Sequence, residues 1–163
     1  MPKKFFEDTK ELREEIGANI FGSLGNVENE KVRNILLQRQ KSSRYIKGIT
    51  SYYIHKRLGG KFSHEQVVDL AGEVEIYSTS MVLIDNLVDK HNQRDGETTY
   101  LTEYGPEMMG LASVYAANVG LVRLSPYISA FFQIAEVDGY SAIGKAISSA
   151  VSMDVDRPKD PSK

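Results

Sequence analysis

The chain has 163 residues, with 20 Lys and Arg against 22 Asp and Glu and a formal net charge of −2. That balance excludes a strongly basic nucleic-acid clamp, and an apolar share of 41% supports one domain with a real core rather than a disordered chain. The lack of cysteine excludes disulfide scaffolds, thiolate zinc sites and cysteine nucleophiles together.

No apolar run reaches the ~18–20 residues of a membrane span. The N-terminus turns acidic where a secretory leader would carry its apolar stretch. The expectation is a cytoplasmic protein with no transmembrane segment and no nucleic-acid partner.

Helical periodicity dominates, and no strictly alternating strand pattern occurs. The first predicted helix covers Lys4 to Ile20, closed by Gly22 and Gly25. The second runs from about Val27 to Gln40, and the third from Ser43 to Leu58, stopped by Gly59 and Gly60. Ser63 followed by Gln66 reads as a capping box for a long fourth helix that continues to about Lys90. Residues 91–99 form a polar loop. Pro106 suits the first turn of a fifth helix, to about Val122. Ser125 and Pro126 start a sixth, and Ser141 to Met153 form the last. The domain is expected over 1–153, with 154–163 as a flexible tail. Short connections between these segments predict an all-α antiparallel bundle.

The fourth helix is the informative one. Val74, Tyr77, Met81, Ile84 and Val88 fall on one stripe at steps of three and four, which predicts its buried face. Asp85 and Asp89, four apart, stack on a neighbouring face. Such a pair is either a solvated acidic surface or two carboxylates whose repulsion a hard cation relieves. Arg94 follows in a Gly-containing loop, within reach of a phosphate bound to such a cation. Lys41, Arg44, Lys47, Lys56 and Arg57 form either a phosphate-attracting rim or a solvated helix face. His55, His64 and His91 are not spaced as metal ligands and read as surface or partly buried residues. No P-loop, GxSxG or GxGxxG pattern is present.

The segment from Glu75 to Thr99 resembles the first aspartate-rich motif of the isoprenyl diphosphate synthases (polyprenyl synthetases). That motif reads DDxxD and is followed by an Arg-Arg-Gly loop; here Asp85-Asn86-Leu87-Val88-Asp89 precedes Arg94-Asp95-Gly96. Glu75 and the Tyr104-Gly105 pair agree with the flanking pattern. Gln40-Lys41-Ser42-Ser43-Arg44 stands where the family has Gly-Lys-Arg-x-Arg. The resemblance covers roughly Gln40 to Val122, in keeping with the first half of the isoprenoid synthase fold.

The resemblance implies Mg2+ on Asp85 and Asp89 as catalytic metal ligands, with an allylic prenyl diphosphate held there. It implies Arg94 on that diphosphate, and Lys41 and Arg44 at the site for the homoallylic diphosphate. Ionisation of the allylic diphosphate would be assisted by metal and arginines. The family carries a second aspartate motif in its C-terminal half, and residues 128–163 hold no counterpart. The implied partner is therefore a second prenyl synthase-like subunit in a hetero-oligomer. Ser42, Asn86 and Asp95 depart from the motif, which keeps two alternatives open: a non-catalytic regulatory or interaction subunit, and half of a class I terpene synthase.

Overall fold

The computed structural model describes residues 3–90, 93–94 and 97–135. Among the described residues six helices dominate: α1 (Lys3–Asp8), α2 (Lys10–Gly25), α3 (Glu30–Lys41), α4 (Ile46–Arg57), α5 (His64–Val88) and α6 (Tyr100–Ala135). The all-α class expected from periodicity is observed. Between α5 and α6, β1 (Gln93–Arg94) and β2 (Glu97–Thr98) pair antiparallel, a short ladder within the expected loop. No helix among the described residues is long and apolar enough to cross a membrane.

The chain divides into two compact units, residues 1–124 and 125–163. Of the second, only the helical run to Ala135 is described. The expected last helix and the boundary at residue 153 lie outside the described residues.

Local chemistry explains most helix ends. Ser63 accepts from the backbone N–H of Gln66 at 3.3 Å, and the Gln66 side chain accepts from the N–H of Ser63 at 2.9 Å. This is the expected capping box at the start of α5. Asn29 caps α3 by accepting from the N–H of Val32. Gly105 takes a non-helical conformation with φ 79° and ψ 165°, which a side chain would strain. Pro106 follows, so the helical run restarts where proline is best tolerated. Two expectations need correction. The first helix is interrupted at Thr9, whose hydroxyl donates to the carbonyl of Phe5 at 2.8 Å, a back-bond that bends helices. The expected start at Ser125-Pro126 is not a break. The helical run continues through both residues, although an interior proline gives up one helical hydrogen bond.

α2 supplies the centre of the core through Leu12, Ile16, Ile20 and Leu24. Val32, Ile35 and Leu36 of α3, Ile49 of α4, Ile76 and Leu83 of α5, and Met109, Ala112 and Ala116 of α6 complete it. α5 is the shared wall. It runs antiparallel to α4, with Lys47 against Ser78 and Tyr52 against His64. It runs antiparallel to α6 as well, with Ser113 donating to the Ser80 carbonyl and Gly120 close to Tyr77. α2 lies alongside it in the same direction, Glu15 meeting His64 and Asn19 meeting Asp69.

The predicted buried face of α5 is the wrong one. Met81 is 53% exposed, Val88 is 71% exposed and Ile84 is exposed too. The buried residues include Ala71, Gly72, Glu75, Ser78, Thr79, Ser80 and Asn86. The cause is close backbone approach. Neighbouring helices cover these small and polar residues together with Val67, Val68, Ile76 and Leu83, and leave Met81, Ile84 and Val88 at the surface. The tightest approach is at Gly48, where a Cβ would lie 2.7 Å from the Ala71 carbonyl oxygen. Gly48→Val, which overfills this contact, is expected to cost about 1–3 kcal/mol, read as a lower urea midpoint. An unchanged midpoint would show that the two helices can separate freely.

One buried acid ties three helices. Glu73 accepts from the Arg123 guanidinium at 2.8 Å, and Arg123 also donates to Ser23 at 2.6 Å. Burial pushes the Glu73 carboxyl above its ordinary range. The Arg123 hydrogen bond and charge oppose that rise, and nearby Asp69 adds to it. A carboxyl raised by folding contributes stability that is fully present below its unfolded range and is lost as pH climbs through the folded value. Glu73→Gln should therefore gain on the wild type as pH rises from about 4 to about 7. Urea unfolding of both proteins at the two pH values measures this, and a constant difference between them contradicts it.

Candidate functional site

The α3–α4 connection is built to hold an irregular backbone in place. α3 ends at Lys41, and the Ser42 hydroxyl donates to the Arg39 carbonyl while accepting from the Arg39 guanidinium, each at 3.0 Å. Ser43 accepts from the backbone N–H of Tyr45. Tyr45 itself is left-handed, with φ 51°. A non-glycine residue there costs about 1–2 kcal/mol and must be held by its surroundings. It is held: its ring lies over Gly17, and its hydroxyl donates to the Gln40 carbonyl at 3.1 Å. Burial raises the Tyr45 phenol above its usual range, with the charge of Glu75 adding to the rise, so the hydroxyl stays a donor.

Glu75 is the counterpart on α5. It is buried, and its Oε1 accepts from the backbone N–H of Gly48 at 2.8 Å. Gly48 is the third residue of α4, where the N–H has no partner within the helix. No side chain at Tyr45 caps that helix, so an acid from a different helix does so. A carboxylate suits the positive end of the helix dipole. Next to it, Gln40 donates to Thr79 at 2.8 Å, and Lys47 donates to Ser78.

These elements wall an open cleft of about 820 Å3. Arg39, Lys41, Arg44 and Lys47 line one side. Glu75, Ser78, Val82 and Asn86 of α5 line the other, and Thr98, Thr99, Tyr100 and Glu103 close the end. Cations outnumber acids in this lining, and the cleft is of ligand size. Chemically, it can attract and orient a polyanion through charge-assisted hydrogen bonds.

The structure brings Lys41 and Arg44 together in the cleft and adds Lys47, which the sequence left as rim or solvated surface. Asn86 of the aspartate-rich segment is buried in the opposite wall. Asp85 and Asp89 are exposed and do not line the cleft. They stand beside Asn86 on the adjoining face of α5, together with Met81, Ile84 and Val88. Asp89 also ends the helix, its N–H donating to the Asp85 carbonyl at 2.9 Å. Arg94 lies in β1, paired in register with Glu97. Among the described residues no three His, Asp or Glu side chains gather into a metal site. His64 bridges Tyr52 at 2.9 Å and Glu15 at 2.6 Å, and His55 stacks on Phe62.

Sequence reasoning did not find the cap that Glu75 provides, the Tyr45 anchor or the part played by Arg39. No spacing rule connects an acid on one helix to an orphan N–H on another.

No family model matches the chain, and no curated protein matches its sequence.

A polyanion in the cleft should depend on its cations. A hydrogen bond to a charged group contributes about 1.5–3 kcal/mol, so Lys41→Ala with Arg44→Ala should weaken inorganic pyrophosphate binding by about tenfold or more. Titration calorimetry measures this. Equal affinity in the double variant would place the anion elsewhere.

Proposed function

We propose that this chain is a subunit of a heteromeric isoprenyl diphosphate synthase-type prenyltransferase. One observation carries the reading: Lys41, Arg44 and Asn86, from segments far apart in sequence that each resemble a family motif, line the same cleft. The exposed apolar stripe of α5 supports it, because Met81, Ile84 and Val88 share a face with Asp85 and Asp89. An allylic diphosphate has this same character, an apolar tail joined to a charged head.

Asp85 and Asp89, one turn apart and both exposed, suit a pair of oxygen ligands and would hold Mg2+. The ion, when bound, neutralises charge on a departing diphosphate. Lys41 and Arg44 orient the second diphosphate in the cleft, and Arg94 binds the allylic one. A partner chain supplies the second acidic helix and covers the open face.

A second reading is favoured by one observation, that Asp85 and Asp89 lie outside the cleft lining. On it, the chain is a non-catalytic interaction subunit that keeps the anion cleft alone.

Calorimetry with geranyl diphosphate, with and without Mg2+, separates the two. The enzyme reading expects Mg2+-dependent binding that Asp85→Asn and Asp89→Asn each weaken about tenfold or more, the order of one lost charged contact. Binding indifferent to Mg2+ and to both substitutions removes the metal role and favours the second reading.

A further inference from the structure

Residues 31–64 hold nine of the chain's 20 Lys and Arg and none of its 22 Asp and Glu. Four of the nine line the cleft. Lys56, Arg57 and Lys61 do not. They stand exposed around the C-terminal end of α4, at the opposite end of that helix from the cleft. Cations suit a helix C-terminus, but that does not explain the side chains among them. Ile54 is 54% exposed and Leu58 is 79% exposed, with Tyr53 and Phe62 exposed beside them.

Scattered apolar residues on a surface are ordinary, whereas a contiguous set is not. Here Thr50, Tyr53, Ile54 and Arg57 repeat at three and four on one face of α4. With Phe5, Ile49 and Leu58 they form a shallow apolar groove of about 530 Å3. The loop that follows is braced, His55 stacking on Phe62 with ring centroids 5.2 Å apart. Lys56 leans over the Tyr52 ring at 5.9 Å.

We propose that this corner, the outer C-terminal face of α4 with residues 58–62, docks on an anionic lipid surface. Leu58, Ile54, Tyr53 and Phe62 enter the headgroup and acyl boundary, and Lys56, Arg57 and Lys61 meet the lipid phosphates. Residues 31–64 hold no acid, and Glu15, which reaches the edge of this corner from α2, is engaged by His64 at 2.6 Å. Long basic side chains keep their stems on apolar surface and their heads in water, as an interfacial helix requires. The contact is peripheral and independent of the catalytic reading.

Flotation of the full chain with vesicles tests this. Vesicles of phosphatidylcholine alone are compared with vesicles containing about 30 mol% phosphatidylserine, in about 0.1 M and about 0.5 M salt. Binding to the anionic vesicles is expected, weaker binding to the neutral ones, and loss at the higher salt. Each cation contributes about fivefold on an anionic surface, so Lys56→Ala, Arg57→Ala and Lys61→Ala together lower partitioning about a hundredfold. Leu58→Ser lowers it severalfold on the anionic vesicles. Both variants alter exposed residues, and circular dichroism checks that their helix content is unchanged. Failure to float overturns the proposal and returns this face to a protein partner. Equal binding to both lipids overturns it too, as does binding that survives the triple substitution or is instead lost with Lys41 and Arg44.

Discussion

The contact between α4 and α5 at Gly48 governs what surrounds it. A helix N-terminus leaves donors without partners, and burying them unmet costs about 1–3 kcal/mol each. Glu75 meets one of them from the neighbouring helix. To reach it, the two backbones must approach so closely that a Cβ at Gly48 would collide with the Ala71 carbonyl. That approach sets the start of α4, the left-handed turn at Tyr45 and the mouth of the cleft.

The same constraint explains why α5 buries small and polar side chains beside Val67, Val68, Ile76 and Leu83. Glu75, Ser78, Thr79, Ser80 and Asn86 lie where neighbouring helices crowd in, and they carry small or hydrogen-bonding side chains suited to close approach. Partners are present for several: Gly48 for Glu75, Gln40 for Thr79, Lys47 for Ser78, and the Tyr77 carbonyl for Ser80. At the closest contacts, such as Gly48 against Ala71, large apolar side chains would force the helices apart. Met81, Ile84 and Val88 therefore stand on the remaining side, in line with Asp85 and Asp89. The helix offers an apolar stripe and a pair of acids on one open face, with a basic cleft on the next.

Two basic clusters, Arg39, Lys41, Arg44 and Lys47 on one side and Lys56, Arg57 and Lys61 on the other, stand at opposite ends of α4. The cluster at its N-terminus converges on an open polar cleft, which suits a compact polyanion. The cluster at its C-terminus spreads among exposed apolar side chains, which suits an extended anionic surface. Charge of the same sign has different consequences because one set is gathered by a turn and the other is displayed along a helix end.

The all-α class, the capping box at Ser63 and Gln66, and the helix restart at Pro106 were legible from sequence alone, because periodicity, caps and proline act within a few residues of chain. Lys41, Arg44 and the aspartate-rich segment could also be marked, as charged blocks and through their resemblance to a family motif, but not which of their side chains would line one cleft. Tertiary structure alone decided which side of α5 is buried, since the 3.6-residue period reveals an apolar stripe but not whether another helix covers it. Tertiary structure alone also decided that Glu75 caps α4, that Lys47 joins Lys41 and Arg44, and that Asn86 rather than Asp85 enters the cleft wall. Each of these depends on where a distant backbone comes to rest, and close approach between helices is settled by small residues on both partners at once.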